Sequence, residues 1–181
     1  MTITPTNFDS ILDSIVAIVS DPKSQVNVLR KIVSLGGYDA DNQSVSATTD
    51  ATAAAVVRRL ALVRIGVVSS KVEFTSRQDG LAFLANIAPM FDAEIEYASA
   101  NNEMQVFEHF DNLLASIEND VRQRSTGLPE LITWNNTKML PPCVIAQRLY
   151  GDGSRDEEII IRNDPINPFF IGSGNIEILS R

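Results

Sequence analysis

Apolar residues recur at three- and four-residue intervals over most of this chain, and only in its last quarter does that rhythm give way to short alternating runs. The first helical stretch covers about Phe8 to Ser20, with Ile11, Leu12, Ile15, Val16 and Val19 on one stripe and Thr6 or Asn7 placed to cap it. Asp21-Pro22 interrupts it, because proline starts a helix more readily than it continues one. A second helix follows, with Val26, Leu29, Ile32, Val33 and Leu35 apolar and Gly36-Gly37 as its stop. Residues 39–49 are rich in Asp, Asn, Ser and Thr and read as a loop or linker.

From Asp50 the helical rhythm returns. Ala51 to Val72 places Ala54, Val57, Leu60, Ala61, Arg64, Ile65 and Val68 at helical spacing and is apolar around much of its circumference, so it should lie between other elements. Its end, Ile65 to Val72, also has strand propensity, and a strand there stays open as the alternative. Ser76, with Asp79 three residues on, opens a fourth helix. Its face is Leu81, Leu84, Ile87, Ala88, Phe91 and Ile95, and Pro89 predicts a kink or break. A fifth runs from about Glu103 to Arg124, with Phe107, Phe110, Leu114, Ile117 and Val121 forming a packing seam. The three long helices can bury a joint core, with the first two packing on them or on another chain.

The texture then changes. Leu131 to Trp134 is a short β-type run, and Asn135-Asn136 supplies turn residues. Pro141-Pro142 begins a helix with Val144, Ile145 and Leu149 inward, and Gly151 is its left-handed stop. Ser154-Arg-Asp-Glu157 has the form of a capping box, with Asp156, Glu157 and Glu158 in the first turn and Arg162 in the last. Pro165 and Pro168 rule out further helix, and Asn175 to Leu179 reads as a strand returning beside Leu131 to Trp134. The expected fold class is α+β, mostly α. The expected organisation is a helical hairpin at 1–38, a linker at 39–49, a helical domain at 50–127 and a small β-α-α-β module at 128–181.

Composition narrows the function classes. Apolar residues make up 44% and charged residues 21% of 181, the balance of a folded chain. A net charge of −8, with no basic run longer than Arg58-Arg59 or Arg30-Lys31, speaks against a free-standing nucleic-acid binder. Cys143 is the single cysteine, which excludes an intrachain disulfide and a cysteine-based zinc cluster. Met1 to Phe8 lacks the layout of a signal peptide, and no apolar stretch is long enough to span a bilayer, so the chain is expected to be made and folded in the cytoplasm.

Candidate chemistry is sparse. His109, the one histidine, sits on a helix with no nucleophile or orienting partner nearby and reads as a solvated residue. Asp152, Asp156, Glu157 and Glu158 lack calcium-loop spacing and are accounted for by helix capping. Gly151-Asp-Gly and Gly172-Ser-Gly are too short for a phosphate loop. No catalytic group, cofactor or metal is expected. Trp134 and Tyr150 suit the small core of the module. The interface candidates are Arg148, Arg155 and Arg162, spaced by seven and able to meet an acidic partner, and Phe169-Phe170 in its proline-flanked loop.

Arg148-Leu-Tyr-Gly-Asp, Glu157-Glu-Ile-Ile-Ile-Arg-Asn and Ile166-Asn-Pro-Phe-Phe-Ile-Gly-Ser-Gly-Asn-Ile-Glu-Ile-Leu resemble the second half of a LysM-like module. More closely, about Val56 to Arg181 resembles the carboxy-terminal part of the Mu-like phage DNA circularisation protein family, a tail and baseplate component. The matching stretches are Val57-Arg-Arg-Leu-Ala-Leu-Val, Phe91-Asp-Ala-Glu, Leu128-Pro-Glu-Leu and above all Leu140-Pro-Pro through Asp152. The resemblance implies a non-enzymatic virion protein made in the host cytoplasm. It would contact tube, hub, wedge or tape-measure proteins and form a ring-shaped homo-oligomer. Family members carry a further amino-terminal region where this chain has two short helices. The Gly-Asp-Thr turn of sugar-binding LysM modules is replaced by Asn135-Asn-Thr-Lys-Met-Leu-Pro-Pro, with Thr137 alone matching, which speaks against glycan binding. Peptidoglycan binding and action on DNA ends remain the two alternative functions.

Overall fold

Seven α-helices and four short strands follow one another among the described residues, a mostly helical α+β chain. The computed structural model describes residues 5–46 and 49–180, with side chains from residue 8 on. The helices are α1 (Pro5–Ile18), α2 (Pro22–Leu35), α3 (Ala51–Ser69), α4 (Arg77–Ala100), α5 (Met104–Thr126), α6 (Pro142–Tyr150) and α7 (Asp156–Asn163). The strands are β1 (Tyr38–Asp39), β2 (Ser44–Val45), β3 (Leu131–Asn136) and β4 (Gly174–Leu179). Contacts divide the chain into two compact units. One holds the residues up to Phe74 with Gly80–Arg124; the other holds Thr75–Asp79 with the residues from Ser125 on.

In the helical unit, α1 starts at Pro5, so Thr6 and Asn7 lie inside its first turn rather than before it. Their side chains fall outside the described residues. The α1 stripe is narrower than its sequence suggests: Leu12 is buried, Ile15 and Val16 pack at the core's edge, and Ile11 is exposed. Asp21 caps α2 by accepting the Ser24 N–H at 2.8 Å, and the Ser24 side chain first, then that N–H, hold its carboxyl below the usual range. The two glycines after α2 do different work. Gly37 takes the positive φ of 91° that ends the helix, while Gly36, at φ −77°, is needed for space. A Cβ on Gly36 would sit 2.7 Å from the Arg58 Cβ and 2.9 Å from the Ala54 carbonyl oxygen.

The stretch expected as a linker folds into a hairpin, with Tyr38 opposite Val45 and Asp39 opposite Ser44. Its polar residues supply turn chemistry: the Asp39 carboxylate accepts the Asp41 N–H at 3.0 Å and the Asn42 side-chain amide at 2.6 Å. Ala47 and Thr48 lie outside the described residues. α3 stays helical to Ser69, so the strand alternative is not realised; Ile65 and Val68 continue the buried stripe of Ala61 and Leu62. Ser76 accepts the Asp79 N–H at 3.1 Å, and Asp79 in turn accepts the Thr75 N–H at 3.1 Å. α4 passes through Pro89 without a break. The carbonyl that loses its partner belongs to Ala85, on the exposed side where water reaches it. The buried face of α4 is Phe83, Leu84, Ile87, Met90 and Phe91, with Leu81 left exposed. With Phe110, Leu114, Ile117 and Val121 of α5, and with residues of α1, α2 and α3, they form one core.

The second unit has the expected β-α-α-β order. β3 and β4 pair antiparallel, with Trp134 opposite Ile176 and Asn136 opposite Gly174. β3 runs two residues further than its sequence suggests, so Asn135 and Asn136 are strand rather than turn residues. Asn135 bonds Asn175 across the ladder at 3.0 Å. Ile145 and Ala146 of α6, Ile159 of α7, Ile171, Ile176 and Ile178 make the core, with Trp134, Leu149 and Tyr150 packed on it. Gln78 ties the Thr75–Asp79 segment to β3, accepting the Leu131 N–H at 2.7 Å.

Candidate functional site

Three parts of the second unit fix the frame on which its loops stand. Pro141 and Pro142 start α6, and Gly151, at φ 76°, ends it in the left-handed region. The expected Ser154–Glu157 capping box does not form. Asp152 takes that place: its carboxylate accepts both the N–H and the hydroxyl of Ser154, at 2.9 and 2.7 Å, around a 3-10 turn at Gly153–Arg155. A carboxylate is a stronger acceptor than a hydroxyl, so Ser154 becomes the donor, and these bonds hold the Asp152 carboxyl below the usual range. Glu157 is exposed, and Asp156 accepts its N–H at 3.0 Å.

Glu158, one residue on, is the carboxylate that α7 uses. Arg155 donates to it at 2.8 Å and stacks over the Tyr150 ring at 3.8 Å, and the Tyr150 hydroxyl donates to it at 3.1 Å. The same hydroxyl accepts the Leu179 N–H at 3.1 Å, linking α6, α7 and β4 at one oxygen. Burial first, and then Glu158, push the Tyr150 phenol above its ordinary value. Tyr150→Phe is therefore expected to cost about 1–3 kcal/mol, because it leaves the Leu179 N–H without an acceptor. Urea unfolding followed through Trp134, the only tryptophan and a residue of this unit, measures that loss.

The three arginines spaced by seven do not form one row. Arg155 and Arg162 line a shallow groove with Thr75, Glu157, Ile161 and Glu177, whereas Arg148 stands exposed on α6 and is not part of it. Arg155 is already paired with Glu158, and the acidic residues in that groove offset its positive charge. An acidic partner thus gains little there.

The aromatic candidates fare differently. Phe169 and Phe170 are 76% and 45% exposed, on a turn closed by the Asn167 side chain, which accepts the Phe169 N–H at 3.0 Å. Phe170 lines an open groove of about 410 Å³ with Met139, Ile166, Ile171 and Ile176. One wall comes from the β3–α6 connection and the other from the α7–β4 connection. The two are joined by a single bridge, Leu140 N–H to Ile171 carbonyl at 3.1 Å and the reverse at 2.9 Å. Asn136, buried beneath, donates to the Gly172 carbonyl at 2.8 Å. Polar side chains of the groove mostly serve the fold. Asn163 accepts the Glu177 N–H at 2.8 Å and donates to the Glu177 carbonyl at 2.9 Å. Sequence reasoning found Phe169 and Phe170 but missed Met139 and Ile166, both largely exposed. Their signal was apolar side chains in loops.

A buried ionic cluster in the helical unit was also missed. Arg58 and Arg59 both donate to Glu94, Arg59 also reaches Glu103, and Arg58 donates to the Gly36 carbonyl at 2.6 Å. Burial alone would lower the Arg59 guanidinium's affinity for its proton, but Glu94 and Glu103 more than reverse that. The cluster is closed and fully paired at the carboxylate, so it joins α2, α3 and α4 rather than offering a reactive group. His109 is exposed, with its ring edge-on to Phe110 at 5.6 Å. Among the described residues, no three His, Cys, Asp or Glu side chains are grouped to hold a metal, and no helix is long and apolar enough to cross a membrane. No protein-family model and no curated protein matches this chain.

Proposed function

We propose that this chain is a non-enzymatic assembly protein, a component of a contractile phage tail or baseplate of the kind its resemblance to the Mu-like circularisation family implies. Its LysM-like module docks through the loop groove onto an apolar segment of a neighbouring tube, hub, wedge or tape-measure subunit, and repeated copies form a ring. One observation supports the docking reading above others: Met139, Ile166, Phe169 and Phe170 are exposed at loops of a module whose other large apolar residues mostly pack inward. Exposed apolar surface of that kind gains free energy only when a partner covers it. The acidic net charge keeps the unassembled subunit soluble.

The test uses phage particles from the source. Antibody against the chain is expected to label purified contractile tails, and Ile166→Ser with Phe170→Ser is expected to give tails that lack the protein while the free subunit still folds. Unlabelled tails overturn the reading. A second reading, peptidoglycan binding, draws on the asparagine and serine side chains of the same groove, Asn167, Ser173 and Asn175. Retention of the purified chain on insoluble peptidoglycan, lost in the same double variant, would favour it.

A further inference from the structure

We propose that the outer face of α2 carries a binding site for a phosphate group. Asn27, Arg30, Lys31 and Ser34 are spaced by three and four residues, so they share one face of the helix. With Ala40 and Met90 they line an open groove of about 450 Å³. Every polar side chain in that lining can donate a hydrogen bond, through guanidinium, ammonium, amide or hydroxyl, and none is a carboxylate.

The arginine makes the groove more than a solvated helix face. Its Nε is buried and has no acceptor. A buried N–H left unpaired is costly, and a small turn of the Arg30 side chain toward a ligand oxygen in the groove would relieve it. Neither Arg30 nor Lys31 takes part in a salt bridge among the described residues, although the chain carries a net charge of −8. The acidic groups facing this region are Asp39 and Asp92, which act with Arg30 on the Tyr38 phenol. Asp39 is engaged by the Asp41 N–H and the Asn42 side chain. Asp92 makes no ion pair with the arginine, and burial together with Glu118 disfavours its charged form. Two adjacent cations flanked by neutral donors match the charge of a phosphomonoester, about −2 at neutral pH, better than that of a single carboxylate.

Amide NMR of the whole chain, titrated with inorganic phosphate at low salt, tests the site. Saturable shifts are expected at Asn27, Arg30, Lys31, Ser34 and Ala40, with a midpoint of roughly 1–10 mM. The midpoint should weaken several-fold between about pH 7.5 and pH 5.5, as the second proton returns to phosphate. Arg30→Met and Lys31→Gln should each weaken binding about tenfold, the worth of one charge-assisted hydrogen bond. Lys31 is exposed, so its variant folds whatever Arg30→Met does. A phosphoserine dipeptide that binds more tightly than inorganic phosphate identifies a phosphate carried on a partner as the source; the reverse order identifies the free ion. The proposal is overturned by shifts that do not saturate, by an unchanged midpoint in Lys31→Gln, or by acetate binding as well as phosphate.

Discussion

Replacing Glu94 by alanine is expected to lower the stability of the helical unit by about 3–5 kcal/mol. Arg58 is 1% exposed and Glu94 is fully buried, so neither charge can turn to water. Glu94 accepts from Arg58 through one oxygen and from Arg59 through the other, the second at 2.5 Å. Without the carboxylate, the Arg58 guanidinium keeps the Gly36 carbonyl and the face of the Tyr97 ring, 4.8 Å away, but no counter-charge. One of its terminal nitrogens already lacks an acceptor. The cost comes from stranding a charge more than from losing an attraction, and a second variant separates the two. Arg58→Met with Glu94→Met removes both charges and keeps the volume, so it should regain most of the loss. Urea unfolding followed by far-UV circular dichroism reads this unit, because α1 to α3, most of α4 and nearly all of α5 lie in it. A loss under about 1 kcal/mol for the single variant, or a double variant no better than the single, would show the cluster to be solvated.

The helices were legible because burial imposes a period, and the period survives in the sequence. Leu84, Ile87 and Phe91, or Phe110, Leu114, Ile117 and Val121, could be placed inward before any contact was known. What escaped was whatever depends on a partner far along the chain. Arg58 and Glu94 are 36 residues apart, and on hydropathy each belongs on the surface. Only their mutual satisfaction allows them inside. Gly36 looked like a helix stop, yet its role is to let α2 approach the Arg58 backbone. In the second unit the antiparallel strand pair and the Gly151 stop were readable from local chemistry. The capping residue was not, because the Ser154 hydroxyl is drawn off as a donor to the Asp152 carboxylate and the Glu157 N–H goes to Asp156 instead. For the candidate docking groove, the exposed phenylalanines were visible as a pair in a proline-flanked loop. Met139 joined them only once the β3–α6 connection had been brought alongside by the Leu140–Ile171 bridge.

That groove depends on Asn136, and Asn136→Asp is expected to destabilise the second unit by about 3 kcal/mol at pH 7. The asparagine is 1% exposed, and its side-chain amide donates to the Gly172 carbonyl at 2.8 Å and to the Ile171 carbonyl at 3.4 Å. A carboxylate in its place would point lone pairs at two carbonyl oxygens, with no donor to answer and no water to solvate it. Burial and those carbonyls disfavour the charged form, so the new group's pKa in the folded state lies above its unfolded value of about 3.9. The sign of the pH dependence follows. Below the unfolded pKa the acid is protonated in both states, donates one of the lost bonds, and the penalty is small. As pH rises the penalty grows by about 1.4 kcal/mol per unit, then levels off above the folded pKa. Trp134 lies two residues away on the same strand, so its fluorescence during urea unfolding at a series of pH values records the change. A penalty that does not vary with pH would mean that the Gly172 loop swings away and lets water in. In that case Met139 and Phe170 would no longer be held across from each other, and the candidate docking groove would be lost at every pH.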